Sequence, residues 1–133
     1  MREDLDRLLC ERYPKMFAER YGSPRETAMC WGFECSDGWF DLIDTLCGSI
    51  QRYIDQNSRP NNEVPQVIVE QVKEKFGGLR FYTRGGDRLT SGMTWMAEEM
   101  SYKICEICGQ PGSRRGNGWI YTACDAHAKD EDK

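Results

Sequence analysis

Apolar residues recur along this chain at two different periods, and the change from one to the other marks out its elements. Leu5, Leu8 and Leu9 give one apolar face to a short first helix, which should end near Arg12 because Tyr13 precedes a proline and is pushed toward extended geometry. Pro14 suits the first position of a second helix over Lys15 to Tyr21, with Gly22 as its stop, and Ser23-Pro-Arg-Glu26 reads as a turn or a fresh helix start. Residues 30–38 are irregular and glycine-bearing. Ser36-Asp37 then forms a helix cap, and Trp39, Ile43, Leu46, Ile50, Tyr53 and Ile54 follow at three- and four-residue spacing through Gln56. This is the longest predicted helix, and its stripe belongs to the core. Asn57 to Asn62 closes it in a turn-rich loop.

Beyond the loop the pattern changes. Val64 to Phe76 and Leu79 to Thr83, rich in β-branched and aromatic residues, flank Gly77-Gly78 and predict a β-hairpin over 64–84 with a tight turn. Ile68, Val72 and Phe76 share one face and Lys73 and Lys75 the other, so one face should pack on a helix and the other should meet solvent. Thr90 or Ser91 should cap a last helix over 93–104 whose apolar stripe is Met93, Met96, Ala97, Met100 and Ile104. Three methionines on one stripe either fill the core or leave an adaptable surface for a partner protein.

The last quarter carries the strongest chemical signal. Cys105-Glu-Ile-Cys108 is followed, with fifteen residues between, by Cys124-Asp-Ala-His127, so four zinc-competent side chains arrive as two pairs, each separated by two residues. That spacing lets one tight turn aim two ligands at one tetrahedral ion, and His127 is the only histidine in the chain. Gly109 suits a knuckle turn, Gln110 to Gly118 is turn-forming, Trp119-Ile-Tyr-Thr122 reads as a strand, and Cys124 onward looks like the first turns of a helix with Asp125 near its positive start. Knuckle, hairpin and ligand-bearing helix resemble a treble-clef zinc finger. The expected fold is therefore α+β: helices on a small antiparallel hairpin or sheet over 1–104, with a treble-clef-like finger over 105–133 packed on that body as part of one structural domain.

Seven cysteines are an odd number, and the opening Met1-Arg-Glu-Asp-Leu-Asp-Arg7 has neither an apolar leader core nor a membrane span, so an intracellular protein with one structural Zn2+ is expected rather than a disulfide framework. Cys30 and Cys35 stand in loose zinc-pair spacing, while Cys10 and Cys47 stand alone; free buried thiols are the expectation for all four, with a second metal site as the alternative.

Charge restricts the partners. The formal net charge is −4, with eleven acids against seven bases in residues 1–57, six against seven in 58–104 and five against four in 105–133. Any phosphate-binding surface must therefore be local. The best candidate is the hairpin, where Lys73, Lys75, Arg80, Arg84 and Arg88 lie around Tyr82 but are interleaved with Glu70, Glu74 and Asp87. Cross-strand ion pairing on a solvated face is the simpler expectation there. Enzyme readings meet the single histidine: with His127 as a ligand, none remains for a nuclease base or a Cys–His pair, the His-x-Glu of zinc deaminases is missing, and three cysteines with a histidine close the metal shell.

Cys35-Ser-Asp-Gly-Trp39, Val72-Lys-Glu-Lys-Phe-Gly-Gly-Leu-Arg-Phe-Tyr82, Ile104-Cys-Glu-Ile-Cys-Gly109 and Gly118-Trp-Ile-Tyr-Thr-Ala-Cys-Asp-Ala-His127 together resemble a group of small uncharacterised bacteriophage and prophage proteins, over most of the chain from residue 35 onward. The resemblance implies a phage origin and a host-cytoplasm setting, and no biochemistry. The expected function is non-enzymatic binding to a host or defence protein, with no membrane involved. The alternative is nucleic-acid binding through Lys73, Lys75, Arg80, Arg114 and Arg115.

Overall fold

The structure, a computed structural model, describes residues 1–133. Helix α1 (Glu3–Arg12) ends where Tyr13 leaves helical geometry ahead of Pro14, as its sequence requires, and buries Leu9. The second helix expected over Lys15 to Tyr21 does not form; residues 14–21 are a succession of turns. A tertiary contact accounts for this: the carbonyl of Met16 accepts a hydrogen bond from the amide of Val69 at 2.8 Å and so is taken by the sheet. Met16 and Phe17 are buried all the same.

A two-residue strand β1 (Phe33–Glu34) pairs parallel with β2 (Ile68–Lys75), and β2 pairs antiparallel with β3 (Gly78–Arg84), giving the order β1-β2-β3. Helix α2 (Phe40–Asn57) follows a 3₁₀ turn at Asp37–Trp39 and lays Leu42, Ile43, Leu46, Ile50 and Ile54 into the core. Ser36 does not cap it; the Ser36 amide is instead held by the carboxylate of Glu106 at 2.9 Å. Helix α3 (Arg88–Ser101) packs against both α2 and β3.

The hairpin differs from its sequence pattern in two places. The register shifts between Val69 and Gln71, leaving Glu70 as an extra residue, so Val69 and Val72 are both buried and Ile68 is only half-buried. The turn is Phe76-Gly77, one residue earlier than the Gly-Gly pair suggests, with φ of +53° and +83°. Both values are left-handed, as a two-residue hairpin of this hand demands. Phe76 therefore leaves the face of Val72, and its ring is 62% exposed. A bulky residue in that region costs about 1–2 kcal/mol relative to glycine.

Helix α3 starts five residues earlier than expected. Asp87, not Thr90 or Ser91, is its cap: the Asp87 carboxylate accepts from the amides of Leu89 and Thr90, and the Thr90 hydroxyl accepts from the Asp87 amide. This is a reciprocal capping box with threonine in the third position. The helix also closes the open edge of β3. The outward amide of Leu79 donates to Ser101 Oγ at 2.9 Å, and that of Phe81 to Glu98 Oε2 at 2.8 Å, so the edge strand is covered by side chains. No buried side-chain nitrogen or oxygen lacks a partner, and no helix is long and apolar enough to cross a membrane.

Candidate metal centre

The C-terminal segment folds around its four candidate ligands. Ile104 and Pro111 form a bridge that closes the loop carrying Cys105 and Cys108, and the amide of Gly109 turns back to the carbonyl of Cys105 at 2.9 Å with a φ of +81°. Strands β4 (Ser113–Arg115) and β5 (Tyr121–Ala123) pair antiparallel and deliver the chain to Cys124. His127 follows at the end of one 3₁₀ turn, Asp125–His127, after which Ala128 is extended. The ligand-bearing helix of a treble clef is therefore absent: one short turn stands in its place.

The ligand atoms of Cys105, Cys108, Cys124 and His127 all lie within 4.8 Å of one another. Cys108 Sγ is 3.7 Å from Cys124 Sγ, while His127 Nδ1 is 3.2 Å from Cys124 Sγ and 3.7 Å from Cys105 Sγ. A cluster of this shape is compatible with one metal ion held by three thiolates and an imidazole. Its electrostatics favour a cation. Burial pushes the Cys105 thiol up, but the amides of Cys124, Cys108 and Ile107 facing its sulfur outweigh this and bring it down to about 6. Cys108 moves the other way: the amide of Gln110 lowers it, but desolvation and its hydrogen-bonded neighbours Cys105 and Cys124 hold it above the ordinary thiol value. Cys105 is thus the readier of the two to ionise, and a neighbouring cation would favour the thiolate of Cys108 as well.

The centre is fastened to the body on two sides. On one, Gly38 lies against the knuckle, its amide donating to the carbonyl of Glu106 at 2.7 Å, and a Cβ at Gly38 would fall 2.2 Å from the carbonyl oxygen of Cys105. Beside it the Trp39 indole N–H donates to the carbonyl of Ile104 at 2.9 Å. On the other, the buried Thr122 hydroxyl donates to the carbonyl of Gly77 at 2.6 Å, and Arg114 Nη2 donates to the carbonyl of Phe76 at 3.2 Å. In the sequence Gly38 and Trp39 stand in an irregular loop, at the head of a helix stripe and within the Cys35–Trp39 motif. Their role as a seat for the knuckle has no local signature.

The four N-terminal cysteines join no metal-competent group and are free thiols. Cys35 and Cys47 are buried, and desolvation pushes the Cys35 thiol to about 12, which suits an inert core residue.

The candidate basic residues separate into two sets. Lys73 and Arg80 stand opposite each other across β2 and β3, and Arg80 Nη1 donates to the Tyr102 hydroxyl at 3.1 Å. The Arg114 guanidinium lies 4.5 Å over the Tyr102 ring, and Lys75 sits 5.7 Å over that of Phe76. Arg115 is not with them. Its side chain is 12% exposed, bound to the carbonyl of Ala123 and to Asp125, and so it braces the finger.

The methionine stripe resolves into a groove. Met93 packs against the core, but Met96 and Met100 are 62% and 47% exposed. With Leu42, Leu46 and Ile104 they line an open apolar depression of about 540 Å³ between α2 and α3, at whose rim Asp41 is the one charged residue. No family model, no curated protein and no solved structure matches the chain.

Proposed function

We propose that this is a zinc-stabilised, non-enzymatic binding protein, phage-encoded and cytoplasmic in its bacterial host, which engages a host or defence protein through the groove between α2 and α3. Zinc is the ion that best suits the centre. Two sulfurs about 2.3 Å from a tetrahedral zinc stand about 3.8 Å apart, and a sulfur and a nitrogen about 3.6 Å apart. The Cys108–Cys124 sulfur pair at 3.7 Å and the Cys105 Sγ–His127 Nδ1 pair at 3.7 Å lie near those edges, the Cys124 Sγ–His127 Nδ1 pair at 3.2 Å is shorter, and all four ligand atoms lie within 4.8 Å of one another. Three soft thiolates and an imidazole favour zinc over hard cations, and four protein donors complete a structural shell. Its role is to fasten the finger to the body. The phage assignment is supported by the motif resemblance alone.

The observation that carries the binding reading is the exposure of Met96 and Met100 on the wall of an apolar groove. Methionine adapts its shape at little cost, and a trough between two helices suits the apolar face of a third. Gly92 lies on the same wall, and a Cβ there would meet nothing within 4 Å, so the fold has no need of a glycine at that point in a helix. Its absent side chain leaves room for close approach of a partner backbone. The expected partner element is an amphipathic helix with apolar anchors three or four residues apart and a basic residue facing Asp41.

The test is affinity purification from host lysate with nuclease present, comparing the natural chain with a Met96→Glu, Met100→Glu variant, both sites being exposed. A stoichiometric protein retained by the first and lost by the second, with equal thermal stability, supports the reading. Retention of the same protein by both, or recovery of nucleic acid alone, overturns it.

A further inference from the structure

We propose that a second surface, running from Tyr82 across Tyr102 and Arg114 to Phe76 and Trp119, binds single-stranded nucleic acid by stacking bases on its rings and pairing phosphates with its cations. It is built on β2, β3 and the finger, and it is independent of the groove.

The first observation is Phe76. It occupies a left-handed turn position that suits asparagine, and its ring is exposed, so neither backbone preference nor burial explains a phenylalanine there. Trp119 is 75% exposed on the finger loop and shares a cleft of about 200 Å³ with Glu74, Lys75 and Phe76. Two large rings on neighbouring turns, one from the body and one from the finger, thus flank a lysine.

The second observation is continuity. From Phe76 the surface passes to Arg114, which binds the Phe76 carbonyl and lies over Tyr102, and then to Arg80, which donates to the Tyr102 hydroxyl. Lys73 stands opposite Arg80, and Tyr82, exposed, lies two residues along β3 on the same face. Rings and cations alternate along the whole run.

The third is charge. Lys73, Lys75, Arg80 and Arg114 take part in no ion pair, unlike Arg84 farther along β3, which pairs with Glu19 and Glu70. Of the nearby acids, Glu74 is engaged by the Gly77 amide at 2.8 Å and Glu98 by that of Phe81 at 2.8 Å. Glu34 stands opposite Lys73 across the parallel ladder, and Glu106 shares a pocket with Trp119, so acids border the surface as well. In a chain of net charge −4, four cations outside any ion pair thus stand on one surface with the exposed rings of Phe76, Tyr82 and Trp119. Rings that stack on bases need those bases unpaired, so a single strand fits and a duplex does not; the run suits a site of about four nucleotides.

Fluorescence anisotropy with labelled oligo(dT), oligo(U) and a duplex of equal length tests this at low salt. The full chain is expected to bind one or both single strands more tightly than the duplex, and comparison of oligo(dT) with oligo(U) separates DNA from RNA. Phe76→Asn keeps the turn and should fold at least as stably, yet lose about 5- to 150-fold in affinity. Arg114→Gln should reduce the slope of log affinity against log salt by about 0.7. Equal binding by the natural chain and Phe76→Asn, preference for the duplex, or no binding of either single strand would each overturn the proposal.

Discussion

Trp39 and Ile104 lie 65 residues apart in the sequence, and the indole N–H of the first donates to the carbonyl of the second at 2.9 Å. The bond ties the start of α2 to the residue just before the first candidate ligand. Trp39 is fully buried, so the donor has no access to water in the folded chain. Trp39→Phe keeps most of the apolar contact and removes the donor, and is expected to destabilise the protein by about 1–3 kcal/mol. Hydrogen exchange should show the amides of residues 104–109 losing protection before those of β2. Uniform loss of protection would show that this bond has no particular hold on the knuckle.

Gly38 and Gly92 give opposite expectations for the same substitution. A methyl at Gly38 would collide with the carbonyl oxygens of Cys105 and Glu106, whereas one at Gly92 would meet nothing within 4 Å. Gly38→Ala should cost about 1–3 kcal/mol or more and weaken metal retention, because the knuckle must lift from its seat. Gly92→Ala, inside α3, should raise stability by about 0.5–1 kcal/mol. Chemical denaturation of the two variants decides both.

Asp87 links α3 to α2: its carboxylate caps α3 and accepts from the Tyr53 hydroxyl at 2.5 Å. The Tyr53 hydroxyl first, and then the Thr90 and Leu89 amides, hold this carboxyl below its ordinary value. The unfolded chain therefore takes up the proton first. The stabilisation is fully present above the ordinary aspartate value of about 4 and drains away as pH falls through the lower folded value. Asp87→Asn, which still caps, should be less stable at neutral pH and show a shallower loss of stability on acidification below pH about 4. Parallel curves for the two proteins would remove Asp87 from the acid response.

The legibility of this chain depended on range. The ligand pairs were visible because three-residue spacing is a local rule, and α2 was visible because its apolar stripe runs unbroken from Ile43 to Ile54. Met16, Phe76 and Asp125 were misread for different reasons. The carbonyl of Met16 is claimed by Val69, over fifty residues away, and that pairing overrides a local helix signal. The register shift at Glu70 and the early turn at Phe76 change which face each β2 residue occupies, and neither leaves a mark in an alternating pattern. After Cys124 the chain makes one 3₁₀ turn and extends, with the Tyr121 hydroxyl accepting from the Lys129 amide. The exposed methionines were half-legible: their spacing pointed to a face of α3, and only the packing of α2 decided that Met93 turns inward while Met96 and Met100 stay at the surface.

Cys108→Ser separates the finger from the body. Because metal binding and local folding are coupled in such sites, the variant should lose its metal, and residues 105–133 should become protease-sensitive while α2 and the hairpin stay folded. Loss of the whole fold would instead show that the body depends on the finger.

The measurement closest to the central claim is the metal content of the purified chain by native mass spectrometry, paired with thermal melting before and after chelation. One zinc per chain, with a lower melting temperature once it is removed, is the predicted result. A metal-free chain that melts at the same temperature with and without chelator would contradict it.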